Sequence, residues 1–562
     1  MDCKISCESW LVIFGTLLAI LLRSCTSLHP YSGEASPPMY GDYEAQRHWM
    51  EVTTNLPVTE WYRNGTHNDL NYWGLDYPPL TAYHMYLCGK IASFINENFT
   101  KLHDSRGYES ETHKVFMRST VLISDVFLFI PAMILYYQTA LKIAKTQDSE
   151  IKKKKQKTTR TLNEIKPMNV SLSTTLALLY PGIILIDHGH FQYNCISLAF
   201  AIFATTCLLQ EKNVLASFFF CLALNYKQME LYHALPFFVY LLSTCVPKPG
   251  QSAFWGILRL VKISLTVIVT FVIIWLPFLT DFDLLLQVLH RQFPLARGVF
   301  EDKVANVWCA LNVIFKFKTK FDNYQMMRIC LFATLSAIFP SSVDLFLRPN
   351  LRKFVLALVN SSLAFFLFSF QVHEKSILIV AVPVLMYFPY APFVCFWFLC
   401  ISIFSMLPLL IKDGLVIAVI ALTAFYIVSF RVSIEHAYRS SLNVQDGLGE
   451  YYKSLLHTLL DIEYKKATQL GIIKIVHQQV IKNSYALRTL VLHFGMLLSL
   501  VGCLVLFLVT LLCEPPARYP DLFPLLISVY ACVHFLGFFA YFSVKQLRIP
   551  QQFEDIKHVK TF

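Results

Sequence analysis

The chain alternates between long apolar runs that carry almost no charge and short polar bursts. Runs at 255–278, 489–513 and 522–544 are each long enough to cross a hydrocarbon core of about 30 Å as helices rising about 1.5 Å per residue. The same pattern predicts spans near 10–28, 117–137, 172–186, 195–209, 214–228, 231–246, 255–278, 325–346, 352–370, 374–390, 392–411, 413–430, 489–513 and 523–543, about fourteen in all. Several fall short of the roughly 17 residues a span needs, so they extend into polar ends, sit in thinner bilayer or do not cross fully. The predicted fold class is an all-α polytopic membrane protein. The run at 10–28 follows Lys4 and ends near Ser24, Cys25, Thr26 and Ser27, which fits a cleaved signal peptide or a first spanning helix; the helix is the reading carried forward.

Alternating the spans from a cytosolic N-terminus puts the Lys152–Lys155 run, the 247–254 turn, Arg348 to Lys353, the 431–488 segment and the C-terminal tail in the cytosol, as the positive-inside rule expects. The same parity puts 29–116, 187–194, 279–324, 371–373 and 514–522 on the lumenal side. Lys316, Lys318 and Lys320 run against it, and the run 304–317 beside them, short and broken by Asn306 and Asn312, reads as a loop helix. Domains follow: a transmembrane catalytic module over 1–430 with lumenal loops 29–116 and 279–324, a cytosolic segment over 431–488 with an amphipathic stretch at 451–464, and C-terminal helices and tail over 489–562. The sequons at Asn64 and Asn98 fall in the first lumenal loop, whereas that at Asn360 lies inside an apolar run.

Composition narrows the classes. With 55% hydrophobic and 15% charged residues among 562, there is more apolar material than one soluble core buries. The net charge of +11 is scattered through short loops, which favours a topology signal over nucleic-acid binding. The fifteen cysteines include no CxxC pair, although Cys88 and Cys309 would both face the lumen and could pair. No phosphate-binding glycine loop, dinucleotide fingerprint or GxSxG is present, which argues against a nucleotide-sugar or ATP-driven reaction.

Ionisable residues cost free energy near a bilayer, so clusters of them mark functional candidates. Five fall on the same predicted side: Asp42, Tyr43 and Glu44; Trp73 through Asp76, Tyr77, Pro78 and Pro79 to Thr81; Asp187, His188, His190, Gln192 and Asn194; Asn225, Lys227, Gln228 and Glu230; and the stretch 291–306 with His373, Glu374 and Lys375. Asp76, held by two following prolines, could be a general base or a turn cap. His188 and His190 supply too few ligands for a metal; hydrogen bonding to sugar or phosphate, or capping of helix ends, suits them better. Lys227, Arg291, Arg297, Lys303, His373 and Lys375 could gather round a lipid phosphate, each with interfacial snorkelling as its alternative. Asp42 binds acceptor sugar or caps a loop; Tyr77 and Glu374 are further acceptor-binding candidates.

The strings YWGLDYPPLTAYH at 72–84, DHGHFQYN at 187–194, LNYKQMELYHALP at 224–236, FPLARGVFEDKVANVWC at 293–309 and HEKSIL at 373–378 closely resemble those of the dolichyl-phosphate-glucose-dependent alpha-1,3-glucosyltransferases that add the first glucose to the lipid-linked N-glycan precursor. The resemblance implies a GT-C type fold in the endoplasmic reticulum membrane with lumenal catalytic loops. It implies dolichyl-phosphate glucose as donor, the nine-mannose dolichyl-pyrophosphate oligosaccharide as acceptor, and Asp76 as catalytic base. Lys227, Arg297, His373, Lys375, His188 and His190 are then expected around the donor phosphate and sugar. No metal or other cofactor is demanded. The sister enzyme that adds the second glucose shares the DYPP-like loop, and a lipid or sugar transporter is the alternative from another class.

Overall fold

The computed structural model describes residues 7–154, 168–247, 250, 252–293, 303–442, 444–460 and 469–550. Among them the chain is helical, with an isolated bridge between Gly65 and Asn68 and no strand. In order the helices are α1 (Cys7–Thr26), α2 (Asp42–Asn55), α3 (Pro79–Ile95), α4 (Glu111–Ser124), α5 (Ile130–Lys154), α6 (Val170–Leu178), α7 (Pro181–Ile183), α8 (Asn194–Leu209), α9 (Asn213–Tyr226), α10 (Leu231–Cys245), α11 (Ala253–Trp275) and α12 (Phe282–Gln292). There follow α13 (Val307–Phe315), α14 (Phe317–Lys320), α15 (Asn323–Leu347), α16 (Leu351–Phe368), α17 (Ile377–Tyr387), α18 (Pro392–Ser405), α19 (Leu407–Lys412), α20 (Val416–Leu442), α21 (Gly447–Leu460), α22 (Gln469–Leu512) and α23 (Leu522–Arg548). The wider turns of π-helix at Asp125–Phe129 and Ile184–Phe191 interrupt two of the longer helical stretches.

Nine helical segments among the described residues are long and apolar enough to cross a membrane: Glu8–Thr26, Glu111–Ile143, Val170–Phe191, Ala253–Phe278, Asn323–Leu347, Leu351–Phe368, Val416–Ser441, Lys482–Leu512 and Leu522–Arg548. The five other predicted spans coincide with α8, α9, α10, α17 and α18, which hold 16, 14, 15, 11 and 14 residues. A helix of that length rises at most about 24 Å, less than the hydrocarbon core. The run 304–317 forms the two short helices α13 and α14, as a loop helix would.

Burial sorts the helices by composition. All eleven residues of α17 are buried, because its Ile, Leu, Val, Ala and Met side chains surround the whole helix. In α11 only 17% of the most apolar window is buried; Ile257, Val261, Leu265, Ile268 and Val272 form an exposed stripe suited to lipid. Polar partners join the central helices: Asn360 of α16 donates to Gln546 of α23 at 2.8 Å, so this sequon is buried in a helix interface. Asn64 and Asn98 are exposed. The 431–488 segment contains the end of α20, α21 and the start of α22; Tyr451 of α21 stacks on Tyr438 of α20 at 4.4 Å, and Tyr452 meets His493 of α22 at 5.5 Å. Part of the predicted stretch 451–464 and the basic run from Lys155 to Arg160 lie outside the described residues.

Helix α1 is tied into the bundle. Arg23 binds Asp125 Oδ2 through Nε at 2.6 Å and donates to the carbonyl of Leu178 at 2.9 Å, with both charged groups fully enclosed. His188 Nε2 meets the same carboxylate oxygen at 2.8 Å. Cys88 and Cys309, which could have paired, are not joined; the Cys88 thiol lies 3.4 Å from His84 Nε2, and burial pushes its pKa up to about 12.

Candidate active site

The segment before α3 cannot form regular structure, because Pro78 and Pro79 remove two amide donors and Trp73 sits in the left-handed region at φ 47°. Its carbonyls still need partners. Five consecutive ones accept from side chains of four other segments: Trp73 from Trp49 Nε1 at 2.8 Å, Gly74 and Leu75 from Arg291 at 2.7 and 3.2 Å, Asp76 from Gln228 Nε2 at 3.1 Å, and Tyr77 from the Tyr62 hydroxyl at 2.7 Å. Burial holds the Tyr62 pKa well above its ordinary value, so it stays a donor. Asp76 is thus carried, half-buried, on a backbone fixed from both sides, with Pro79 starting α3 immediately behind it.

The π-helical turn Ile184–Phe191 sends neighbouring side chains to different partners. Asp187 accepts from Asn194 Nδ2 and from the backbone amide of Cys195, both at 2.7 Å. His188 turns to Asp125, whereas His190 bridges two carboxylates, Asp413 Oδ2 at 2.6 Å through Nδ1 and Asp42 Oδ2 at 2.9 Å through Nε2. Asp42 opens α2, where the amide dipoles favour an anion. It also accepts from Gln192 and from Lys375, whose ammonium lies 3.2 Å from His190 Nε2. Burial alone would raise the Asp42 pKa; Lys375 and His190 outweigh it and hold the carboxyl well below the usual range.

Lys227 joins this cluster to the Asp76 loop. Its ammonium donates to Asn194 Oδ1 at 2.6 Å and to Gln192 Oε1 at 3.4 Å, and stands 5.1 Å from the centre of the Tyr77 ring. Gln46, Tyr77, Thr81, Gln192, Tyr193, Tyr226 and Lys227 close round a cleft between them that is too narrow in this state to admit water. Phe191 and Gln371, like Trp73, have positive φ (86° and 58°), so three backbone outliers adjoin the cluster.

The fold therefore brings Asp42, Tyr77, His190, Lys227 and Lys375 into one connected set, with Asp76 beside Tyr77 and with His373 and Glu374 next to Lys375 in the turn Glu374–Ser376. His188 stands apart, enclosed against Asp125 and Arg23. Arg291 grips the loop carbonyls, and Lys303 lies 3.3 Å from Asp521. Arg297 falls outside the described residues. Among the described residues no three His, Cys, Asp or Glu side chains converge in a metal-ligating group. Sequence reasoning did not single out Asp413, Asp125 or Arg23. Asp125 and Arg23 interrupt apolar runs and signal themselves as charges that must find partners there, and Asp413 follows the last turn of α19 as the only acid near it.

Helices long and apolar enough to cross a membrane, packed around a connected set of buried ionisable side chains, make this a multi-pass membrane protein, and sequence comparison fixes which kind. The family model described as "ALG6, ALG8 glycosyltransferase family" matches residues 15–541, and the chain belongs to that family. It is 44% identical over 96% of its length to the dolichyl pyrophosphate Man9GlcNAc2 alpha-1,3-glucosyltransferase of Gallus gallus, covering 97% of that protein, and 42% identical to that of Mus musculus over the same shares. A relative in Arabidopsis thaliana, named a probable enzyme of the same kind, is 37% identical over 97% of this chain and 92% of its own. Among solved structures, ArnT from Cupriavidus metallidurans bound to undecaprenyl phosphate matches with 12% identity and a TM-score of 0.35 over 96% of this chain and 78% of that one, a likeness too weak to carry argument.

Proposed function

We propose that this glycosyltransferase moves glucose from dolichyl-phosphate glucose to the nine-mannose dolichyl-pyrophosphate oligosaccharide, forming an alpha-1,3 bond at the lumenal face of the endoplasmic reticulum membrane. What supports the reading most directly is the run of five consecutive carbonyls, Trp73 to Tyr77, gripped by Trp49, Arg291, Gln228 and Tyr62, which fixes the Asp76 backbone beside a cation-bearing cleft. The relatives' names supply the acceptor and the linkage.

In this scheme the Asp76 carboxylate takes the proton of the acceptor mannose 3-hydroxyl as that oxygen attacks the glucose anomeric carbon. The new bond forms as the bond from that carbon to the phosphate oxygen breaks, and its electron pair leaves with dolichyl phosphate. A beta donor gives an alpha product. Phosphate leaves without a second carboxylic acid, so cations take over the role an acid plays in glycoside hydrolysis. Lys375 and Lys227 are the cations proposed for this role, Lys375 being held by Asp42 beside His190; His373 and Arg297 are the further candidates. Asp42, Tyr77 and Glu374 remain the residues proposed to meet acceptor sugar, and the scheme calls for no metal.

The test is glucose transfer by purified wild type and Asp76→Asn in the presence of a chelator, with the nine-mannose acceptor and its monoglucosylated product offered separately. Transfer to the first acceptor by wild type alone is expected, with a loss of at least about 100-fold in the variant. An active variant rules out Asp76 as the base, inhibition by the chelator overturns the metal-free scheme, and use of the monoglucosylated acceptor alone points to the second-glucose reaction.

A further inference from the structure

Helix α16 carries Arg352 in its first turn and leads, after Phe368, to Lys375, so its 18 residues separate the catalytic cleft from the opposite end of the bundle by about 27 Å. At that far end α16, α17 and α23 leave a concave pocket of about 580 Å³, open to its surroundings. Its walls carry Arg352, Lys545 and Arg548 together with Tyr387, Tyr541 and Val544. Among the described residues no carboxylate lines it. Lys545 faces the charges of Arg352 and Arg548, while Asp344, at the end of neighbouring α15, is already engaged with Lys353 at 3.0 Å and with Arg348. Arg352 is held in place over the Tyr390 ring at 4.3 Å.

Three converging cations repel one another unless an anion sits between them. They stand where apolar helices end, at the level of tyrosines, which is where phosphate headgroups of a bilayer lie. Arginine offers a planar fork to phosphate oxygens and lysine a compact charge, while Ala540 and Val544 give an apolar wall along which an acyl chain can run. We propose that this pocket binds the phosphate of an anionic phospholipid in the leaflet facing away from the catalytic cleft.

The test uses the full-length protein in phosphatidylcholine nanodiscs containing spin-labelled phosphatidylserine or spin-labelled phosphatidylcholine, and reads the immobilised fraction of each. Wild type is expected to select phosphatidylserine, R352K/K545R/R548K to keep the selectivity, and R352Q/K545Q/R548Q to lower it by about fivefold per cation removed. Retained glucosyl transfer in the glutamine variant shows that it is folded. Wild-type selectivity near unity overturns the proposal without any variant, as does equal selectivity in the glutamine variant. Release of the label by inorganic phosphate reassigns the site to free phosphate. Selectivity that emerges only in E554Q/D555N assigns the pocket to the acidic residues of the chain's own tail.

Discussion

At the scale of single residues, His190 is held between Asp413 and Asp42 by bonds at both ring nitrogens. A ring fixed this way cannot turn, and it steadies the carboxylate that takes the Lys375 ammonium. Replacing Asp413 by Asn removes a charge-assisted bond worth about 1.5–3 kcal/mol and leaves an amide that either binds or repels the imidazole according to its tautomer. The expected result is a fall of about 10- to 100-fold in kcat/KM for the donor with normal yield of folded protein; unchanged kinetics would separate Asp413 from the site. Asp42 and Asp76 were legible in the sequence because they sit in polar strings between spans, and Lys375 because it stands at the polar start of the predicted span 374–390. Asp413 was not, since its contact with His190 crosses 223 positions.

At the scale of elements, α2 is enclosed on all sides, its charged residues as well as its apolar ones. Arg47 lies fully buried and binds Glu44 through two bonds at 2.7 Å and Glu51 through one at 2.7 Å, and Ser105 shares the network. The triad stands at i, i+3 and i+7, so the sequence already placed the three on one face, though that face reads as solvated in isolation. Burial pushes the Glu51 pKa up, but the hydrogen bond from His48 and the charge of Arg47 bring it down to about 2. A carboxyl whose pKa is lowered by folding stabilises the fold above its ordinary value near 4.5 and loses that contribution as the pH falls toward 2. Thermal unfolding of the protein in detergent should therefore show this contribution intact between about pH 8 and pH 6 and declining below about pH 5, with a shallower decline in Glu51→Gln. A parallel decline in both would remove Glu51 as its source. The long helices were legible in the sequence for a simple reason, that apolar runs of their length have few alternatives. Helices α8, α9, α10, α17 and α18 coincide with the shorter runs read as spans; apolar composition is shared by lipid-facing and protein-enclosed helices, and all eleven residues of α17 are packed inside the bundle.

At the scale of the whole molecule, the Arg23–Asp125 pair links α1 to the helices that carry His188 and Asp187. Breaking a buried pair on one side leaves an uncompensated charge, a loss of about 3–5 kcal/mol, whereas replacing both partners with apolar residues is much milder. Asp125→Asn is expected to lower the unfolding temperature and the membrane yield, and R23M/D125L to recover most of both, read by thermal unfolding and quantified by the fraction of monodisperse protein. Equal behaviour of the single and double variants would show that the pair holds nothing together. The general architecture followed from hydropathy, yet which ends of which helices meet did not, because pairings such as Arg23 with Asp125 are set by three-dimensional packing that periodicity does not encode.

The bond between Lys375 and Asp42 joins positions 333 residues apart. A ribosome adding about 5–20 residues per second needs roughly 17–70 s to cover that interval. For that time a newborn chain has Asp42 without Lys375, so the cluster is finished only when the later helices arrive. A chain stopped between the two positions would carry Asp42 with at most His190 and Gln192 as partners and would never gain the ammonium that completes the cluster.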